Sequence, residues 1–438
     1  MGDYSTLDGF RNELYRCFGN GKDALMNTCD ALLCGTGVHS FPELSLSPFF
    51  DRRWPSLYEA FDDAEIDRQA LSRLSIATMP PVSAGERRLL AGDVTSILRP
   101  ESPTARDRTY AHVSNAPKGA KPVLPGWQFA TIAALPSDPS SWTSILSNTR
   151  VRSEEKPTEV VAQLLAEIAP EVPKDTAVML DGAFGNAAFM QAAGKIPMGK
   201  LMRTAKNRTF YRPAPISVEK GKRGRPPLDG TRFSLNKPET QGPPDESWSG
   251  TDHDGHTIEV DCWHNLHFKK CRELSLSVIR VTRLCGPDTK RSPRIIWLIW
   301  QGLFMPSLEK VPGYYRLRYS IEHSYRFDKQ ELHWADARLR TPEKFQSWTD
   351  IVSAAHNQIT IARAYQQDIR RPWAKSGTEA TPSQVRAGMP RIIATLGTPA
   401  RCAQPRGKSP GRSFGAIVRK APRFKTVFKR AAECAPRK

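Results

Sequence analysis

Tyr315, Arg318, Glu322 and Lys329 are spaced at offsets of 0, 3, 7 and 14 residues. On an α-helix turning about 100° per residue they fall on one stripe roughly 60° wide. The stripe is not apolar. It presents one carboxylate flanked by a tyrosine, an arginine and a lysine, the side chains a helix would need to face a metal ion and a phosphate backbone together. The same four residues also suit a solvated face held by ion pairs between turns, and the helix by itself leaves both readings open. Two further acids end apolar runs. Asp93 closes the run that starts at Arg87, and Asp181 closes Ala177 to Asp181. Gly182 and Gly185 follow Asp181, as a tight strand-to-helix turn would require. Carboxylates drawn from separate segments can hold Mg²⁺, a hard cation that prefers carboxylate and water oxygens. A pair of such ions serves in-line displacement at phosphorus.

The elements that would position these acids alternate. The runs Arg87 to Asp93, Ala177 to Asp181 and Arg294 to Trp300 read as strands. Val123 to Leu135, interrupted by Pro125-Gly126, reads as one or two more. Pro157 to Ile168 reads as a helix, with Val160, Leu164, Leu165 and Ile168 on one face and proline at each end. A helix over about 314–332 and another over about 342–365 follow the last strand. Residues 1–80 read as helical, with one pattern running from Leu57 to Ile76. Residues 200–290 read as a β-rich insertion. Strands alternating with helices predict an α/β sheet whose site lies along its strand ends.

In full, the helix pattern Tyr-x₂-Arg-x₃-Glu-x₆-Lys resembles the signature of bacterial insertion-sequence transposases of the DDE class. The resemblance covers about residues 85–365. It implies an α/β, RNase H-like mixed sheet flanked by helices, with a β-rich insertion at about 200–290. A helical N-terminal region (1–80) for end binding or dimerisation and a basic extension (366–438) complete it. It further implies Asp93, Asp181 (in Asp181-Gly182-Ala183-Phe184-Gly185) and Glu322 as catalytic metal ligands for two Mg²⁺, with Mn²⁺ able to substitute. Tyr315, Arg318 and Lys329 would then bind DNA. Asp107 is the rival for the first aspartate. The implied activity is cleavage of element ends and joining of 3′-hydroxyls to target DNA, by a homodimer acting on double-stranded DNA in a bacterial cytoplasm, at the nucleoid. Two alternatives share the fold: a catalytically inactive, domesticated DNA-binding protein, and a nuclease that cuts without joining.

Composition points the same way. The 438 residues carry 64 Lys+Arg against 45 Asp+Glu, a formal charge of +19, and a chain this basic attracts polyanions. Residues 401–438 hold twelve basic residues and one acid, Glu433. Read as a solvated, flexible arm, this stretch would still gain affinity by releasing counterions from phosphate. Arg223 and Arg225, in a Gly/Pro-rich basic loop, resemble the Arg-Gly-Arg-Pro core that enters narrow minor grooves; a plain phosphate contact is the simpler reading. Cys262, His264, His267 and Cys271 lack the paired spacing of zinc sites and read as strand. Trp248 and Trp263 read as packed aromatics. The eight scattered cysteines suit reduced thiols, and no apolar run is long enough for a membrane span.

Overall fold

Each apolar run that precedes an acid becomes a strand, and the strands join one sheet. The structure is a computed structural model. It describes residues 3–35, 37–38, 40–112, 122–138, 140–215, 227–286, 288–289, 293–369, 379–404, 411, 413–417 and 420–429. The chain opens with helices α1 (Ser5–Arg16), α2 (Lys22–Cys34), α3 (Trp54–Asp62) and α4 (Arg68–Ala77). Strands β1 (Leu89–Leu98), β2 (Thr109–His112), β3 (Val123–Ala134) and β4 (Ser144–Val151) follow, then α5 (Pro157–Ile168), β5 (Ala177–Leu180), α6 (Ala187–Ala193) and β6 (Gly199–Arg203). The region read as an insertion supplies β7 (Thr209–Tyr211), β8 (Arg232–Ser234), β9 (Glu246–Thr251), β10 (Thr257–Phe268) and β11 (Cys271–Arg283). The chain ends with β12 (Ile295–Gln301), α7 (Lys310–Leu317), α8 (Ser320–Gln330), α9 (Pro342–Ala362), α10 (Gln366–Ile369) and α11 (Pro382–Leu396).

Strand order is β2-β3-β1-β5-β6-β12-β11-β10-β7-β8, with β4 also on β3 and β9 on β10. β1 is antiparallel to β3 and parallel to β5, which is parallel to β6. This is the mixed sheet flanked by helices expected of an RNase H-like fold. The insertion strands extend the same sheet, because β12 pairs with β6 on one side and β11 on the other.

Side-chain alternation along the strands divides the core into two layers. Leu90, Val178, Leu180 and Met202 face α5 and α6. Leu89, Ala91, Met179 and Leu201 face the layer containing α8 and α9. The N-terminal helices are part of that second layer. Arg11, 1% exposed, donates to Asp30 on α2, to Gln358 on α9 and to the Gly397 carbonyl beyond α11. A buried guanidinium is tolerated only when paired and hydrogen-bonded in this way.

Several boundaries differ from the sequence reading for local reasons. Leu57 to Ile76 is two helices, because Asp67 accepts from Ala70 N and starts α4 afresh. β1 does not end at Asp93, since β3 pairs with it as far as Leu98↔Gly126. β3 is unbroken by Pro125-Gly126. Pro125 gives its carbonyl to Arg99 N, and a Cβ on Gly126 would stand 2.4 Å from the Ile97 oxygen. The helix expected over 314–332 is α7 and α8. Tyr319 N bonds Arg316 O, and Glu322 N bonds Tyr319 O, so the chain tightens to three-residue spacing at the junction.

Candidate active site

Strand register brings the first two acids together. Gly92 on β1 pairs with Leu180 on β5, and Leu180 with Met202 on β6. The next row across these parallel strands is therefore Asp93, Asp181 and Arg203, with neighbours about 4.8 Å apart along the row. A Cβ on Gly92 would meet Leu180, Ile132 and Val161 of the α5 layer. One residue on, Asp93 points to the opposite face, where α8 packs. Glu322, in the first turn of α8, approaches from that side.

Electrostatics report the same convergence. The Asp93 carboxyl is pushed up to about 7, by burial first and with Asp181 and Glu322 adding to it, against the Val94 amide and Arg318, which pull it down. Two like charges beside a partly buried acid are relieved by a cation. Carboxylates are the donor type that Mg²⁺ prefers, but the oxygens of these three do not all lie within 4.8 Å of one another. Asp181 Oδ1 accepts from Ala183 N at 2.9 Å, which braces its turn. Glu322 is paired with Arg318 at 2.9 Å, and Arg318 lies 5.8 Å over the Tyr315 ring. Burial raises the Tyr315 hydroxyl; Arg318 and Arg203 act against this, and Asp181 adds to it.

Tyr315, Arg318 and Glu322 thus meet the two aspartates, although α7, its C-cap and α8 share the signature between them. Lys329 does not point to the same place: its ammonium donates to Thr95 Oγ1 and the Ser96 carbonyl of β1. Asp107, the rival first aspartate, is paired with Arg150 and accepts from Ser153 N. Arg223 and Arg225 lie outside the described residues.

Sequence reasoning missed Arg203. A cavity of about 430 Å³ beside Asp181 is lined by Arg203, Lys206, Ile295, Trp297, Tyr315 and Arg318, among others. The only signal was position: Arg203 ends β6, two strands from Asp93 in the same row, which no spacing motif reveals. The insertion aromatics are packed. Trp263 is 1% exposed and donates to the Gly242 carbonyl, and Trp248 lies against Gly250. The cysteine–histidine run is strand: Cys262 Sγ lies 3.8 Å from the His264 ring nitrogens, His264 also meets Ser277 and Glu246, His267 meets Asp229, and Cys271 meets the Ala187 carbonyl.

Among the described residues, one group of three ligand atoms lies within 4.8 Å of one another: Asp252, Asp254 and His256, at the β9–β10 turn. Asp252 Oδ1 already accepts from the Asp254 and His256 amides, and Asp254 pairs with Arg316 on α7. This group joins the insertion to α7 and includes none of the three acids. No disulfide forms among the described cysteines, and no helix among the described residues is long and apolar enough to cross a membrane.

Comparison with curated proteins returns no match. A solved structure, the cryo-EM structure of a piggyBac transposase synaptic complex with hairpin DNA, resembles 86% of this chain and 72% of that one. At 10% identity and a TM-score of 0.42, the likeness is too weak to transfer reaction or partner. A family-wide profile described as DDE superfamily endonuclease matches residues 13–264, a span that includes Asp93, Asp181 and Arg203 and stops short of Glu322. Since that match covers more than half of its length, the chain belongs to the DDE superfamily endonuclease family.

Proposed function

We propose that the chain is a DNA transposase that cleaves the ends of its insertion sequence and joins the 3′-hydroxyls to target DNA. The observation that carries this reading is the row Asp93–Asp181 with Glu322 lowered onto it from α8. Asp93, Asp181 and Glu322 would hold two Mg²⁺ or Mn²⁺. Bound there, such ions supply activation of an attacking water or 3′-hydroxyl and stabilisation of the leaving oxygen. The remaining work belongs to the protein's own side chains. Arg318 pairs with Glu322 at 2.9 Å and would supply a guanidinium that can fork onto a phosphate. Arg203 and Lys206 extend the cationic wall beyond Asp181, and Tyr315 sets a hydroxyl at its margin. Lys329 braces β1 and, if displaced from it, offers a further phosphate contact. Arg223 and Arg225 would bind DNA, and residues 1–80 would serve end recognition or dimerisation. Synapsis of two ends implies a homodimer on double-stranded DNA, in a bacterial cytoplasm at the nucleoid.

The test is incubation with Mg²⁺ and DNA carrying the sequences that flank the gene. End cleavage followed by strand joining is the expected result. Asp181→Asn and Glu322→Gln should each abolish cleavage while DNA binding persists. Full activity in either variant would refute the metal site, and cleavage without joining would make the protein a nuclease instead.

A further inference from the structure

One buried hydroxyl beside the candidate site has nothing to bond. Tyr325 is 7% exposed, and its hydroxyl is shielded from solvent with no hydrogen-bond partner among the described residues. A buried hydroxyl left in this way costs stability unless a further group meets it. The ring itself is fixed: Lys329 Nζ lies 5.8 Å from its centroid, and the Trp334 ring lies 6.2 Å away. Its place follows from two registers. On α8, Glu322, Tyr325 and Lys329 stand at offsets of 0, 3 and 7 residues and share one face. That is the face Lys329 ties to Thr95 and Ser96 of β1, the strand of Asp93. Across the sheet, Asp93 pairs with Thr131 on β3, and Thr131 with Asn148 on β4.

The groups that act on the hydroxyl narrow its choice. Burial most of all, and then Asp93, hold the phenol well above its usual range; Asp328 adds to this, and Thr131 and Arg318 oppose it. Asp328 is paired with His356, and Arg318 with Glu322. Thr131 Oγ1 donates its proton to Asn148 Oδ1 at 3.1 Å. The Asp93 carboxylate is left for the hydroxyl to meet. We propose that Tyr325 is a positioning residue of the metal site, whose hydroxyl donates to the Asp93 oxygen that faces away from a bound divalent cation. The proposal rests on the metal-site reading above. Outer groups of this kind fix the orientation of a ligating carboxylate and raise its hold on the ion. Tyr325 lies between Glu322 and Lys329 and outside the four-residue signature, so the spacing of that signature does not mark it.

The experiment compares full-length wild type with Tyr325→Phe, which keeps the ring and removes only the hydroxyl. Mn²⁺ binding in the absence of DNA is followed by titration calorimetry, and urea unfolding is followed in EDTA. The variant should bind Mn²⁺ roughly ten- to hundredfold more weakly, the usual effect of losing such a group. In EDTA its unfolding midpoint should equal or exceed that of wild type, because the hydroxyl removed is one that had no partner. Equal Mn²⁺ affinity in the two proteins would overturn the proposal and leave the metal site standing. A lower midpoint in EDTA would mean that the hydroxyl already serves Thr131 as a structural bond, and would overturn it too. A wild type that takes up no Mn²⁺ would overturn the metal-site reading, and the part of Tyr325 with it.

Discussion

Lys329 Nζ lies 2.7 Å from Thr95 Oγ1, so the lysine of the signature helix is bound to the strand that carries Asp93, two residues further along it. The Ser96 carbonyl takes a second bond at 3.1 Å, and the Tyr325 and Trp334 rings flank the ammonium at 5.8 and 5.9 Å. Burial holds the Lys329 ammonium below the usual lysine range against the opposing pull of Asp328 and Asp93. A cation held this way braces α8 on β1, and thereby fixes the height of Glu322 above Asp93.

Lys329→Ala should therefore act first on the fold. We expect a loss of about 1–3 kcal/mol in chemical unfolding, the usual range for stranding buried hydrogen-bond partners. Cleavage should fall at saturating DNA, with the salt slope of DNA binding unchanged. A slope reduced by about one unit with stability intact would instead give Lys329 to phosphate.

The acids were legible in the sequence because each sits beside a pattern that secondary structure imposes: a buried run before Asp181, a helical stripe around Glu322. The junction between α7 and α8 was not, since Arg318 and Tyr319 keep helical dihedrals and nothing in their types marks a change of spacing. Arg203 was hidden for a different reason. Its place beside Asp181 comes from register between β5 and β6, a non-local pairing that one-dimensional periodicity does not encode. The anchoring of Phe424–Lys429, where Val427 bridges Thr109 of the edge strand β2 and donates its N–H to the Arg108 carbonyl, was masked by composition, because a basic stretch reads as solvated until an edge strand with free backbone groups is seen beside it.

Asp93 makes stability depend on pH. Its folded-state pKa of about 7 stands above the ordinary 3.8, so the folded state binds the extra proton. Stability is fully present below pH 3.8 and is lost as pH rises through about 7. In EDTA, Asp93→Asn should escape this loss and exceed wild type by roughly 2 kcal/mol at pH 8, with the gap closing toward pH 4. Mg²⁺ should restore wild type and leave the variant unmoved. Parallel stability curves for the two proteins across this range would sink the argument.

Gly185 and Gly182 offer a paired test of the turn after Asp181. A Cβ on Gly185 would stand 2.0 Å from the Arg203 carbonyl oxygen and 2.8 Å from its carbon, while one on Gly182 meets nothing within 4 Å. Neither glycine has a positive φ, so Gly185 is required by close approach and not by turn conformation. Gly185→Ala should cost about 2–4 kcal/mol, because backbone cannot yield as a side chain does, and should displace Arg203 and weaken DNA cleavage. Gly182→Ala should unfold within about 0.5 kcal/mol of wild type. Equal effects at the two positions would disprove the contact.

The lower half of α8 is fixed by a buried polar chain. Asp328 Oδ1 meets His356 Nδ1 at 2.7 Å, His356 Nε2 lies 3.2 Å from Thr143 Oγ1, and that hydroxyl lies 2.6 Å from Ser324 Oγ. Burial alone would lower the His356 pKa, but Asp328 outweighs it and holds the imidazole above its ordinary 6.5. The histidine's charge-linked stability is thus fully present below pH 6.5 and is lost as pH rises through the folded-state value. His356→Leu would leave the Asp328 carboxylate buried without that partner, at a cost of about 3–5 kcal/mol. Urea unfolding of both proteins from pH 6 to 9 should show the gap narrowing upward, because wild type alone gives up the imidazolium. A gap that widens with pH would mean that His356 is neutral throughout, and that no imidazolium–carboxylate pair holds Asp328.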